Sequence, residues 1–189
     1  MGRKMIQRNL INNAIHAYFA AIEIHNKPKI EYRYETTSVL IINAWELILK
    51  AFVRKNIKGK SIFKAKNQQK TGIEKETLPL KVIISYCLEY LNSIDQSNFF
   101  KATAENILKI EEYRDKSIHF YNEKIEPIIF SLIAKSSYDF IKFLKEYFNK
   151  DIIEDERMYI MPIGFKLPFN PIKFFTNEYA EMTNSEECK

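Results

Sequence analysis

The chain has 189 residues, 46% of them hydrophobic and 28% charged, with a net charge of +5. That is enough for one sizeable core and too little for two, and it excludes a disordered tail, a collagenous repeat and a miniprotein held by disulfide staples. Only four Gly and six Pro punctuate the length, so long helices are expected rather than a sheet of many strands.

In chain order, Leu10, Ile11, Ala14, Ile15, Tyr18, Phe19 and Ile22 recur at three- and four-residue spacings, which predicts a helix over 7–26 with one wide apolar face, stopped by Pro28. His16 and His25 lie on or beside it without a third ligand at a recognisable spacing, and are expected to be structural. The N-terminus is basic, but Asn12, Asn13 and His16 interrupt the apolar residues after it before a signal-peptide core is complete.

A second helix is expected over 35–55. Twelve of the fifteen residues from Val39 to Val53 are apolar, so it should be buried nearly all round. The run is shorter than the roughly 18 residues a spanning helix needs, and no membrane association is expected. Its polar residues, Asn43, Glu46 and Lys50, fall on one narrow stripe. That stripe is either a solvent-facing seam with a Glu46–Lys50 pair or a polar line facing a site.

From Ile57 to Thr77 the periodicity is lost and lysines accumulate. Between Arg54 and Lys81 there are nine basic residues against Glu74 and Glu76. This reads as a long loop or a poorly ordered hairpin. Lys58, Lys60, Lys64, Lys66 and Lys70 on it are candidates for phosphate attraction or simply a solvated connection. Helicity resumes at Pro79, which suits an early helical position, and runs to about Leu91. A fourth helix is expected over 98–121, with a break or kink before Arg114, and a fifth over 125–149.

Residues 7–150 therefore read as one all-α bundle of four or five helices. Residues 151–189 are different. Pro162, Gly164, Pro168 and Pro171 alternate with Tyr159, Phe165, Phe169, Phe174 and Phe175, which predicts an irregular strap and tail packed on the same domain. Cys87 and Cys188 form no Cys-x-x-Cys pair, which points to a reducing, cytoplasmic compartment. Three scattered His and two distant Cys make a poor zinc inventory, and no Gly-rich phosphate loop or nucleophile elbow is present. No metal or cofactor is expected.

The segment richest in chemistry is Glu111-Glu112-Tyr113-Arg114-Asp115-Lys116-Ser117-Ile118-His119. On a helix Asp115 and His119 stand one turn apart, so the carboxylate could hold one ring nitrogen and leave the other for proton transfer. Arg114 lies about 140° round and about 7.5 Å along from His119. An extended guanidinium could still meet the imidazole at one phosphate, with Lys116 nearby. An exposed salt-bridge lattice is the plain alternative.

Arg114-Asp115-Lys116-Ser117-Ile118-His119 resembles the Arg-x4-6-His motif of the HEPN superfamily (higher eukaryotes and prokaryotes nucleotide-binding domains). The wider chain, including 21–28 and 42–47, is similar to a bacterial branch of it. The resemblance implies a HEPN-like bundle that dimerises so that two motifs share a cleft, and a metal-independent endoribonuclease of toxin or phage-defence (abortive-infection) biology. The partners implied are RNA, a second copy of the chain and an antitoxin or other defence protein. By position Arg114 and His119 would be catalytic, Asp115 the polar residue after the Arg, and Glu46 an acid directed at the cleft. Asp115 replaces the commoner Asn. Some members of the superfamily are catalytically silent binding or antitoxin-like modules, which is the alternative function.

Overall fold

A computed structural model describes residues 3–27, 29–65, 76–117 and 126–155. They form six helices: α1 (Arg3–Asn26), α2 (Arg33–Asn56), α3 (Leu80–Ser93), α4 (Ser97–Ser117), α5 (Glu126–Phe148) and the short α6 (Ile152–Asp155). The first five make the bundle. No sheet is present among the described residues, where strand pairing is limited to one antiparallel bridge between Phe63 and Thr77. The compact unit to which the helices belong ends at Asp155, and the expected strap over 158–175 lies outside the described residues.

α2 is the axis of the bundle, in contact with α1, α3, α4 and α5. From Ile41 to Val53 almost every side chain but Asn43, Glu46 and Leu47 is buried, and Trp45, Ile48, Leu49 and Phe52 are wholly enclosed. By length and composition α2 could cross a membrane, contrary to the length expected from the apolar run alone, because less strongly polar flanks extend it. Yet 67% of its most apolar window is buried inside the bundle. α1 lies along it through Ile11, Ala14, Ile15, Tyr18 and Ala21, a row in which small residues permit close approach.

The centre is aromatic. Trp45 meets Phe140 edge-on at 5.3 Å and Phe143 at 5.6 Å, while Tyr18 stacks on Phe140 at 4.7 Å. Phe52 and Phe100 both reach Phe143, at 5.5 and 5.7 Å. Such edge and offset arrangements add to the area buried. Two polar groups in this interior are matched across helices. The Trp45 indole N–H donates to Ser136 Oγ at 2.7 Å. The fully buried Asp139 accepts from Thr103 Oγ1 at 3.1 Å and from Lys135.

α4 runs unbroken through Arg114 to Ser117, so the break expected before Arg114 is absent. Its buried row of Phe100, Thr103, Ala104, Ile107 and Ile110 holds one face on the core to the end, and the polar side chain of Thr103 bonds back to the Phe99 carbonyl without interrupting the ladder. α3 begins after Pro79, whose carbonyl accepts from the Val82 and Ile83 amides. The connection after α2 is pinned at its base. Leu78 N–H donates to Ile62 O and Lys64 N–H to Glu76 O, with Ile62 buried.

Candidate functional site

The last two turns of α4 carry the motif. Ile107 and Ile110 anchor this end of the helix in the core, and the next step along the same row, Tyr113, is half-buried and donates its hydroxyl to Glu35 Oε1 at 3.3 Å. Glu35 lies in the first turn of α2 and is only 4% exposed, so the hydrogen bond compensates a carboxylate otherwise removed from water. The start of α2 and the end of α4 are thereby joined, as they are at the other end where Phe52 and Phe100 share Phe143. The two helices are antiparallel, and the motif end is the end where α1 finishes and α5 begins. His25 confirms the geometry: its ring lies 5.9 Å from Tyr34 and 5.4 Å from Phe130. Burial and then the nearby Arg33 charge hold the His25 pKa below its ordinary value.

Arg114 stands on the flank of the buried row. Its Nε and Nη2 donate to Asp115 Oδ1 at 3.0 and 2.9 Å, and Nη2 lies 3.8 Å from Glu111 Oε1. The guanidinium is therefore bracketed by carboxylates from both sides, with Asp115 exposed and Glu111 largely enclosed. Lys116 pairs with Glu112 one turn back. Asp115 engages its own neighbour, a charged fork one residue away, and the arrangement expected for it beneath the His119 imidazole involves a residue outside the described ones. His119 lies outside the described residues. Two basic groups in the last turn, Arg114 and Lys116, complement the negative end of the α4 dipole.

The supporting residues are distributed differently from the sequence pattern. Glu46 pairs with Lys50, whose ammonium also donates to Thr77 Oγ1 at 2.8 Å. Lys50 is buried and Asn43 exposed, so the polar stripe on α2 runs from solvent into the bundle and is not a uniform seam. Its inner end clamps the base of the lysine-rich connection onto α2. Glu46 is eleven residues beyond Glu35, about 16 Å along the helix, so the structure brings Glu35 to the level of the motif and pairs Glu46 with Lys50. On the connection itself, Lys60 lies 3.7 Å from Glu89 and 4.2 Å above the Tyr86 ring, and Lys64 pairs with Glu76 at 2.7 Å. Lys58 is exposed. Lys66 and Lys70 lie outside the described residues.

Three participants had no role in the sequence pattern: Glu35, the Tyr113 hydroxyl and Glu111. Glu35 is an acid in a first helical turn, where the dipole alone accounts for it. Only the antiparallel placement of α4 shows that it is enclosed and bonded. Among the described residues no group of three or more His, Cys, Asp or Glu is arranged to hold a metal ion.

Fold and site thus define an all-helical bundle protein with a charged motif on the closing turn of its fourth helix. The chain belongs to the family described as Domain of unknown function (DUF3644), whose family model matches residues 9–188. No curated protein and no solved structure matches it.

Proposed function

We propose that this chain is a HEPN-like, metal-independent endoribonuclease that acts as a homodimer, with Arg114 and His119 of each copy facing a shared groove. The observation that carries the reading is the placement of Arg114: a planar donor fork on the last turn of α4, on a helix end tied to the core by Tyr113 and Glu35. A guanidinium so placed matches phosphoryl oxygens once it exchanges Asp115 for a phosphate. In the reaction a base removes the 2'-hydroxyl proton, the 2'-oxygen forms a bond to phosphorus, and the bond to the 5'-oxygen breaks as that oxygen takes a proton. The products are a 2',3'-cyclic phosphate and a 5'-hydroxyl. His119 moves one of these protons and Arg114 stabilises charge on the phosphoryl oxygens. The setting that accompanies this reading is a cytoplasmic toxin or phage-defence protein with an antitoxin or other defence protein as its partner.

A second reading, a catalytically silent binding module, is favoured by one specific observation. Glu111 and Asp115 flank Arg114 while Glu112 holds Lys116, leaving little net positive charge at the motif. Single-turnover cleavage of a unique-site RNA in chelator separates the two. His119→Ala lowers the rate by roughly 10²- to 10⁴-fold with folding intact, and Arg114→Lys does not restore the wild-type rate because a point charge lacks the fork. Cleavage undiminished in His119→Ala overturns the catalytic assignment. A wild type inert on a broad panel of cellular RNAs selects the binding module.

A further inference from the structure

We infer that the opposite end of the bundle carries a second nucleic-acid contact, a cleft that grips the phosphodiester backbone of a single strand about 30 Å from the motif. The cleft has a volume of about 410 Å³ and is lined by Lys4, Gln7, Arg8, Ile11, Asn12 and Lys150. Its three cations come from two elements. Lys4 and Arg8 stand one turn apart on α1 and present the same face. Lys150 follows α5, where Asn149 adopts a left-handed conformation with φ 53° and the Lys150 amide donates to Leu144 O. Asn tolerates that conformation better than most residues, and the turn carries Lys150 round toward α1.

The charge at this place is unusual for the chain. No Asp or Glu occurs before Glu23, while Arg3, Lys4 and Arg8 all precede it. Among the described residues no carboxylate lines the cleft, and Lys4, Arg8 and Lys150 form no ion pair with them; the adjacent Asp151 is engaged by Lys145 at 2.6 Å. Of the lysines that the sequence pattern offered for RNA, Lys60 lies at Glu89 and Lys64 at Glu76. Lys4 also stands in the first turn of α1, where the helix dipole disfavours a cation and where no acidic residue offsets it. A basic group placed against the local field, with no counterion among the described residues, is not explained by stability. It is explained by an anion that binds there. Gln7 and Asn12 add amide donors for phosphate oxygens, and Ile11 gives the floor an apolar surface.

The separation from the motif follows from the helices. Lys4 and His25 are 21 residues apart on α1, about 30 Å, and His25 is at the Arg114 end. A strand that kept the helical spacing of about 3.4 Å per phosphate would need about nine nucleotides to touch both ends, and a more extended one fewer. The two contacts are therefore distinct, and the cleft holds a strand without reading its bases. That the natural strand is RNA rests on the RNA-cleavage reading; the backbone chemistry does not.

The test compares equilibrium binding of a single-stranded RNA and the 2'-deoxy strand of the same sequence, each about 20 nucleotides long and so longer than the span just derived, to the full chain as salt is varied. Lys4→Gln/Arg8→Gln/Lys150→Gln should weaken both strands on the order of 100-fold at about 0.1 M salt and reduce the log–log salt slope by about 2, at about 0.7 per phosphate contact on a single strand. Lys4→Arg/Arg8→Lys/Lys150→Arg, which keeps the charge, should bind as the wild type does, and far-UV circular dichroism checks that each variant is folded. Equal affinity and slope in the wild type and the Gln variant overturn the proposal. Because the 2'-deoxy strand cannot be cut by 2'-hydroxyl attack, loss of its binding in the Gln variant supports the cleft even if the chain proves inert on RNA.

Discussion

The hydrogen bond between Trp45 and Ser136 links α2 to α5 across 91 positions of sequence and provides a sharp test of how this bundle is held. Both partners are fully buried. In Ser136→Ala the indole N–H loses its acceptor in a place without water, a penalty of about 1–3 kcal/mol. In Trp45→Phe the hydroxyl is the orphan, but it can rotate to bond its own helix backbone; the larger cost is the space left between Phe140 and Phe143, and the total should be about 2–4 kcal/mol. With the indole already removed, Ser136→Ala should add less than about 0.5 kcal/mol, because the group it orphans is gone. The two substitutions should therefore be non-additive by about 1–2 kcal/mol. Urea unfolding followed by far-UV circular dichroism measures all four proteins; fluorescence cannot, since Trp45 is the only tryptophan. Each kcal/mol should also move the melting temperature by about 2–4 °C for a chain of this size. Strictly additive costs would refute the reasoning by showing that the bond carries no net energy beyond packing.

Stability should also fall as the solution is acidified through the His25 titration. Because burial and Arg33 lower its folded pKa, the unfolded chain holds more protons just below its own value of about 6.5. The contribution is complete above that pH and is lost as pH falls toward and past the folded value. His25→Gln should flatten the dependence of the urea midpoint on pH between about 7 and 5, and an unchanged slope would assign it to other groups. At the motif, Asp115→Ala should remove one of the carboxylates that hold the Arg114 fork. An exposed pair is worth about 0.2–1 kcal/mol, so affinity for a short 2'-deoxy oligonucleotide should rise about 1.4- to 5-fold. The measurement is made on the Lys4→Gln/Arg8→Gln/Lys150→Gln background to silence the far cleft, and an affinity that stays the same or falls would show that Asp115 does not compete with the anion.

The helices were legible in the residues themselves. The apolar rows of α1, α3 and α5 repeat at three and four positions, and an element that buries one face must show that period. Expected and observed ends differ by a few residues, most at α1, which starts at Arg3 with a first turn whose Met5 is exposed and adds nothing to the buried row, and at α4, described only to Ser117. The unbroken apolar content of α2 likewise announced a central helix. What the pattern could not carry was pairing between distant side chains. Glu35 and Tyr113 are 78 positions apart, Trp45 and Ser136 are 91, and Lys50 and Thr77 are 27. Periodicity records which face of a helix is buried and is silent about which helix covers it.

The same division holds for charge. Composition located the basic surplus of the chain on the connection after α2, and sequence alone determined that surplus. Tertiary structure decided which cations remain available, since Coulomb attraction depends on distance and not on separation along the chain. Glu89 is 29 positions from Lys60 and lies 3.7 Å from it, whereas Lys4, Arg8 and Lys150, drawn from the two ends of the bundle sequence, converge on one cleft whose wall holds no carboxylate among the described residues. Arg114 and Asp115 show the reverse case: as chain neighbours they were bound to be close, but only the fold of α4 set the fork of one on the oxygen of the other, while Glu46 pairs with Lys50 about 16 Å up α2 from Glu35.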